Sequence, residues 1–415
     1  MLNIKGLLKY IQRPGEKCGL NPIVFGLTTL AVVFPVISIA VSQIFLGLAI
    51  LGLLLDCLLN RRTILRFPPV KLPLLLFVGT TLASWLASPE PGIGLPPIYK
   101  FWLFAIILLV ANYFSKRRVG RAFQALFAAG LVAAGFALVQ YLVPSLGSVE
   151  GRLTGFMGHW MTLSGGLMLV FLAMLAYLLF SATKHRRLWM LAVGFLGVAL
   201  LLTLTRSVWI ASLAGLLVAA WLRFPTLKTV VVSGAGILIL VACLPDSLQQ
   251  RLASIWDPAH PSNAARLEIW RTGVQMVQAN PWFGVGPQRV SKVFFDYHPD
   301  PGARQRGGFF WIHMHNNLLQ FAAERGIPCA LAWLWLILRM GRDHWLGFRR
   351  AGLPSLEKSV HAGGFLSLLA LFLAGLFEFN FGDSEVLMVF LFLVSAPYAL
   401  GPSSDTDASR ALSLE

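Results

Sequence analysis

The chain has 415 residues, of which 57% are hydrophobic and only 13% are charged, and its formal net charge is +16. A soluble domain carries about twice that charged fraction, so the composition excludes an ordinary cytosolic protein. The four cysteines are far apart and form no CxxC pair, so neither a disulfide framework nor a thiolate metal site is expected.

Apolar stretches close to the ~20 residues that a helix needs to cross a bilayer recur along the whole chain. They predict an all-α polytopic membrane protein with about twelve transmembrane helices and one large periplasmic loop that itself contains helices. Nine spans fall within residues 1–244, three fall within 316–401, and 402–415 form a cytoplasmic tail. The predicted spans are 21–37, 40–59, 70–87, 99–114, 122–143, 160–181, 188–204, 207–222, 228–244, 316–338, 361–379 and 385–400.

The basic residues predict the orientation, because Lys and Arg concentrate in cytoplasmic loops. With both termini in the cytoplasm, 23 of the 34 Lys and Arg lie on the inner side, while bases and acids cancel on the outer side. The whole net charge then lies on the cytoplasmic side, so it reflects the membrane topology of the chain. The expected surroundings are membrane lipids, and nucleic acid is not an expected partner.

Residues 245–315 form the large outward-facing loop of this topology, and long loops between compact elements often carry function. A helix is predicted from about Ala264 to Gln278, ending before Asn280-Pro281 and a glycine-rich turn. Its apolar residues recur every three or four positions, which is typical of an amphipathic helix lying on the outer leaflet. They are Leu267, Trp270, Val274 and Val277.

Several cations lie at the predicted outer membrane edge, and Arg206 stands between two apolar runs with almost no loop. An ionisable residue in such a place is costly unless it is paired or used. Guanidinium groups there suit a diphosphate, which accepts bidentate, charge-assisted hydrogen bonds. The alternative is that these cations are solvated or contact lipid head groups. The set is Lys100, Arg152, Arg206, Arg266, Arg289 and Lys292.

Two histidines, His313 and His315, and Asn316 open the tenth apolar run. A neutral imidazole titrates near pH 6.5 and suits a general base, for which His315 is the candidate. The alternative is a structural cap of the helix. The spacing HxxxH or HExxH is missing, so no metal site is expected, although Asp296, His298 and Asp300 could contribute ligands.

Acidic residues fall in three places with different interpretations. Glu324-Arg325 is predicted to be a buried ion pair, with a bend at Gly326–Pro328. Glu378, Asp383 and Glu385 lie on the outer side, where they could neutralise the arginines, bind a polar acceptor or simply form an acidic turn. The Asp-x-Asp at 405–407 is on the cytoplasmic side, so it does not indicate a nucleotide-sugar site.

Two segments, RLEIWRTGVQMVQANPWFGVG and HMHNNLLQFAAERGIP, together resemble the O-antigen ligase family of Gram-negative inner membranes. TLTRSVWIASLAGL is similar to the preceding segment of that family, and the span number and single large periplasmic loop agree. The resemblance implies transfer of a glycan from an undecaprenyl diphosphate carrier to a sugar of lipid A–core, on the periplasmic face of the inner membrane. It implies an inverting reaction without a metal or other cofactor.

The same resemblance assigns roles to individual residues. His315 is the implied base, Arg266 and Arg289 would hold the departing diphosphate, and Arg206 would line the same cavity. One position departs from the family, because Cys329 stands where a small or hydroxylic residue is usual. The other residues expected to bind substrate are His313, Asn316, Lys100, Arg152, Lys292 and Asp383.

Three alternatives remain open at this point. An O-antigen polymerase or a protein O-oligosaccharyltransferase would belong to the same superfamily. A lipid-linked sugar transporter would also use membrane arginines, but such proteins commonly show repeated halves, and no repeat is evident in this sequence.

Overall fold

The computed structural model describes residues 20–60, 65–146, 152–242, 245–300, 313–350 and 352–400, and every regular element within them is helical. The predicted Asp-x-Asp at 405–407 and the tail around it lie outside these residues. The helices are α1 (Asn21–Val33), α2 (Ile39–Leu59), α3 (Lys71–Ala87), α4 (Leu95–Tyr99), α5 (Ala105–Tyr113), α6 (Lys116–Leu142), α7 (Trp160–Phe180), α8 (Arg186–Leu202), α9 (Arg206–Arg223), α10 (Leu227–Ala242), α11 (Asp246–Ala253), α12 (Pro261–Ala279), α13 (Val290–Val293), α14 (Asn317–Arg325), α15 (Ile327–Phe348), α16 (Ser355–Ala374) and α17 (Ser384–Ser395).

Within the described residues, six helical stretches are long and apolar enough to cross a membrane. Three shorter apolar stretches accompany them, at Asn21–Val36, Lys71–Ala87 and Ser384–Leu400. The all-helical membrane architecture is therefore confirmed, while the count of twelve spans and the sidedness remain predictions. The six are Ile39–Leu59, Leu95–Tyr113, Lys116–Leu142, Trp160–Phe180, Arg206–Arg223 and Ser355–Ala374.

Helix α7 is the central element of the bundle. Most of its residues are buried, and it packs most extensively against α16. Small residues permit this approach, since an added Cβ on Gly363 would lie 3.5 Å from the Cα of Ala173. His159 caps the N-terminal end of α7 and is exposed.

The predicted tenth span is not one helix but two, because α14 ends at Arg325 and α15 begins at Ile327. Gly326 lies between them with φ +90°, a conformation that favours glycine. Pro328 sits in the first turn of α15, where no backbone donor is lost. The sequence predicted a bend here, and the structure has a complete break.

The break is occupied by the turn at residues 281–286. Ile327 N donates to Pro281 O (2.8 Å), Val285 N to Ala323 O (2.9 Å) and Gly286 N to Glu324 O (3.0 Å). These bonds use backbone groups that the interrupted helix would otherwise leave unpaired. Docking of the loop thus replaces helical hydrogen bonds at the break.

Glu324 and Arg325 are both buried beside this break, and Arg325 Nε lies 3.2 Å from Glu324 Oε1. The predicted internal ion pair is confirmed. Arg325 Nη1 also donates to Thr81 Oγ1 on α3 (3.4 Å), and Gln320 donates to the other oxygen of Glu324. The pair therefore joins α14 to α3.

The predicted helix at 264–278 is confirmed as α12, but its apolar stripe divides between two faces. Ile269 and Met276 are fully buried against the segment that carries the histidines, and Trp270 and Val277 pack beside them. Leu267 and Val274 are exposed on the other side of the helix. The buried face is centred on Ile269, Gly273 and Met276 and not on the predicted stripe, because Gly273 has no side chain and lets Met314 and Leu319 approach closely.

Candidate functional site

Arg206 and Arg266 converge on one hydroxyl group. Arg206 Nη2 donates to Ser262 Oγ (3.1 Å), and Arg266 Nη1 donates to the same oxygen (2.9 Å). Arg206 begins α9 directly after a turn in which Leu204 has φ +55°, which points the chain toward the loop. The two arginines predicted to act together therefore do lie together.

Arg206 also organises the turn between α11 and α12. Its Nη1 donates to Ser254 O (2.7 Å) and Ser254 Oγ (3.0 Å), and its Nη2 donates to Asn263 Oδ1 (2.9 Å). All of these acceptors are neutral. Within the described residues, no carboxylate forms an ion pair with Arg206 or Arg266.

A third guanidinium, that of Arg251, belongs to the same group and was not among the predicted site residues. Arg251 at the end of α11 repels Arg206 and Arg266 electrostatically. Burial lowers the pKa of Arg251 and of Arg266, and the charge of Arg251 adds to the effect on Arg266. The only sequence signal for Arg251 is that no acidic residue stands three or four positions from it on its helix.

The histidine pair shares one carboxylate, that of Glu378. His315 Nδ1 lies 3.2 Å from Glu378 Oε2, and His313 Nε2 lies 3.8 Å from Glu378 Oε1. The two imidazole rings are 4.2 Å apart. Helix α16 ends at Ala374, earlier than the predicted span end at 379, so Glu378 lies in the turn that follows the helix.

The hydrogen bonds determine where the protons reside. Burial opposes ionisation of Glu378, but the hydrogen bond to His315 and the positive charges around it lower its pKa to about 2. The ionised carboxylate accepts a hydrogen bond from the N–H of His315 Nδ1, so the ring lone pair of a neutral imidazole is on Nε2. This is the tautomer that a general base requires.

His313 has the opposite arrangement of donor and acceptor. His315 N donates to His313 Nδ1 (3.3 Å), so the proton of neutral His313 resides on Nε2, facing Glu378. Burial lowers the pKa of His313 to about 4. His313 is therefore neutral at ordinary pH and contributes a hydrogen-bond donor to the site.

His313, His315 and Glu378 also have the composition of a metal site, since their ligand atoms lie within 4.8 Å of one another. The sequence did not reveal Glu378 as a third ligand. Binding of a metal at His313 Nε2 would require a proton on Nδ1, which would face the backbone N–H of His315. The arrangement therefore fits hydrogen bonding better than metal ligation. His298 lies elsewhere and pairs with Glu268.

Asn316 and Asn317 hold the histidines against the turn that carries Glu378. Asn316 caps α14 through Leu319 N (2.9 Å) and donates to Leu376 O (3.0 Å). Asn317 donates to Gly375 O through its backbone (2.7 Å) and to Asn380 Oδ1 through its side chain (2.7 Å). Asn316 was predicted to bind substrate, but both ends of its amide are engaged in positioning the site.

The backbone of Met314, between the two histidines, is fixed from both sides. Its N–H donates to Gln320 Oε1 (2.7 Å), and its carbonyl accepts from Trp270 Nε1 (3.0 Å). The first contact ties the segment to α14 and the second ties it to α12. Because Arg266 is on α12, this bond also connects the histidines to the arginines.

Electrostatic interactions also couple the arginines to the histidines and Glu378. The charge of Arg266 contributes to the lowered pKa of Glu378, and it also disfavours protonation of His313. Arg152 lies over the ring of Trp160 (4.7 Å), which stacks on His159 (4.3 Å) at the start of α7. His159 acts on His313, and Arg152 acts on Arg206. These residues border one polar region.

Lys100 and Asp383 meet at the other end of the turn that carries Glu378. Lys100 Nζ donates to Gly382 O (2.6 Å), and Asp383 accepts from Thr162 Oγ1 (2.5 Å). Asp383 also caps α17 through Glu385 N (3.1 Å). The two residues predicted to bind substrate are brought together, and their contacts stabilise the turn.

Arg289, which was predicted to bind the diphosphate, and Lys292, which was predicted to bind substrate, both pair with Glu90. Arg289 Nη2 pairs with Glu90 Oε1 (3.2 Å) and its Nη1 donates to Val285 O (2.8 Å), while Lys292 pairs with the other oxygen of Glu90. The hydrogen bonds of Lys292 and Arg289 lower the pKa of Glu90. The turn at Gly284 and Gly286 directs this segment toward the α3–α4 loop.

Residues 191–334 match the family model described as O-antigen ligase. The chain carries a domain of the O-antigen ligase family. The matched segment contains the three arginines and both histidines, whereas Glu378 lies beyond it. A search of curated proteins found no match. The match over this segment supports glycosyl transfer of the ligase and polymerase type for this membrane protein, and it implies substrates of the lipid-linked glycan and lipid A–core type.

Proposed function

We propose that the protein is an O-antigen ligase that transfers a glycan from undecaprenyl diphosphate to a sugar of lipid A–core, on the periplasmic side of the bacterial inner membrane. The observation that carries this proposal is the arrangement of His315 and Glu378 beside Arg266. A base and a group of cations are thereby set close together at one end of the bundle.

The reaction needs a base because a sugar hydroxyl is a weak nucleophile. His315 Nε2 takes the hydroxyl proton while the acceptor oxygen forms a bond to the anomeric carbon of the donor. Glu378 holds the ring in the required tautomer and stabilises the imidazolium that forms, as the aspartate carboxylate does in Ser-His-Asp triads. Glu378 is thus a positioning residue that acts through His315.

The leaving group is the second part of the chemistry. The bond from the anomeric carbon to the diphosphate oxygen breaks, and its electron pair stays on that oxygen. Fixed guanidinium groups that are partly withdrawn from water stabilise the developing charge. Direct attack of the acceptor on this carbon inverts the configuration there.

Substitution of His315 by Ala tests the base. We expect loss of transfer, while the protein still inserts in the membrane and binds the lipid-linked donor, because the donor is held by the arginines. Full transfer by His315→Ala would remove the imidazole from the mechanism.

Reconstitution of the purified protein with lipid-linked glycan and lipid A–core tests the reaction itself. We expect glycan on lipid A. Longer lipid-linked chains would instead identify a polymerase, glycan on protein a protein O-oligosaccharyltransferase, and movement across the bilayer without bond exchange a transporter.

A further inference from the structure

The four terminal N–H bonds of Arg206 are all used inside the protein. Nη1 donates to two oxygens of Ser254, and Nη2 donates to Ser262 and Asn263. The residue is also buried, with 9% of its surface exposed. Arg206 therefore shapes the turn at 254–263 and has little donor capacity left for a ligand.

Arg251, unlike Arg206, has most of its N–H groups unused by the described residues. It is half-buried, and within the described residues its guanidinium makes a single long hydrogen bond, from Nη2 to Leu204 O (3.5 Å). Arg266 similarly uses one terminal nitrogen, on Ser262. Arg251 and Arg266 therefore keep N–H groups that a ligand could take.

The three guanidinium groups repel one another, and no carboxylate among the described residues forms an ion pair with any of them. Glu378 acts on Arg266 only through the Coulomb interaction. Their field also reaches His260, the cap of α12, whose pKa is lowered by burial and then by Arg206 and Arg251. Partly desolvated like charges held together in this way are stabilised when an anion with several oxygens binds.

We infer that Arg251 is a diphosphate-binding residue which, with Arg266, donates hydrogen bonds to the lipid-linked donor, while Arg206 positions the turn that carries them. The inference rests on the proposed function for the identity of the ligand, a diphosphate ester. It gives different roles to Arg206 and Arg266, which the sequence places in one class, and adds Arg251 to the residues that bind the ligand.

Titration with inorganic pyrophosphate tests this assignment on the purified full-length protein in detergent. We expect Arg251→Gln to weaken binding about tenfold or more, as expected for loss of a charge-assisted hydrogen bond. Arg271→Gln is the matched control, since Arg271 is an exposed arginine on α12, and it should bind like the wild type. Unfolding temperatures of the unliganded variants should be similar.

Unchanged affinity of Arg251→Gln, or no pyrophosphate binding by the wild type, would overturn the inference. If Arg251→Gln does not fold, Arg251→Lys decides, because lysine keeps the charge but loses the planar pair of donors. Several-fold weaker binding then supports the role, and unchanged binding rejects it.

The titration does not depend on glycan transfer, so the two proposals can fail separately. Loss of pyrophosphate affinity in Arg251→Gln, with no transfer by the wild type, would keep the diphosphate site and reject the ligase. Unchanged pyrophosphate affinity in Arg251→Gln, together with glycan transfer by the wild type, would reject only the role of Arg251.

Discussion

His315 has a backbone conformation that few residues with side chains adopt, with φ +45°. Such strain persists only where surrounding contacts impose it, and here Asn316, Asn317 and the Met314 backbone do so. The sequence indicated His315 and Arg266 as functional because both stand at an apolar edge. It could not indicate the pairing of His315 with Glu378, since 63 residues and three helices separate them.

Replacement of Glu378 by Gln tests the pairing. Glutamine keeps the size but loses the charge that stabilises the imidazolium, so we expect kcat to fall about a hundredfold with little change in KM for the donor. Glu378→Asp retains the charge and should recover part of the rate. Steady-state kinetics of both variants measure this, and a wild-type kcat in Glu378→Gln would show that the carboxylate is dispensable.

His313 makes stability depend on pH in a defined window. Its pKa falls to about 4 in the folded protein, while the unfolded chain titrates near ~6.5. Between these values the unfolded state binds more protons, so the free energy of unfolding decreases as the pH falls from ~6.5 toward 4. Ionised Glu378 stabilises the folded state, and this contribution to the free energy of unfolding is lost as the pH falls from ~4.3 toward 2.

We therefore expect His313→Gln to reduce the difference in unfolding temperature between pH 7 and pH 5. Thermal unfolding of the wild type and the variant in the same detergent measures it. An equal difference in both proteins would show that His313 does not titrate in this range.

Among the elements, the break between α14 and α15 depends on Gly326. A Cβ there would lie 2.1 Å from Trp282 O, and the φ of +90° disfavours any side chain. We expect Gly326→Ala to destabilise the protein by about 2 kcal/mol or more and to reduce transfer by displacing α14. Gly194→Ala, in the middle of α8 with nothing within 4 Å, is the control and should not destabilise.

Apolar runs predicted the helices well because burial in a membrane or bundle determines where they form. They did not reveal the helix break, since Gly-Ile-Pro within an apolar run is equally compatible with a bend. The outward face of α12 was misplaced for a related reason: its buried side is defined by contacts with Met314 and Leu319, which are distant in sequence.

At the scale of the whole molecule, the polar groups collect where α7, α9, α12, α14 and α17 begin. Arg152, Arg206, Arg266 and His315 were all assigned by sequence to one outer edge, and they border one region of the structure. The ion pair of Arg289 with Glu90 could not be predicted, because the two residues are 199 positions apart and no local pattern links them.

Sidedness can be measured by labelling single cysteines introduced after removal of the four native ones. Ala259 is exposed in the large loop and Lys184 is exposed between α7 and α8, on opposite sides of the predicted topology. We expect Ala259→Cys to react with a membrane-impermeant maleimide in intact spheroplasts. Lys184→Cys should react only after the membrane is opened, and the reverse pattern would invert the predicted orientation.

The docking of the 281–286 turn on Gly326 also sets an order of assembly during biosynthesis. The turn emerges from the ribosome before the residues that receive it, so it must wait until α14 and α15 have been made and inserted. A nascent chain that stops short of Ile327 lacks the N–H donor for the Pro281 carbonyl, so the turn is not yet fully docked. Catalytic competence is thus acquired late, when the growing protein is already anchored.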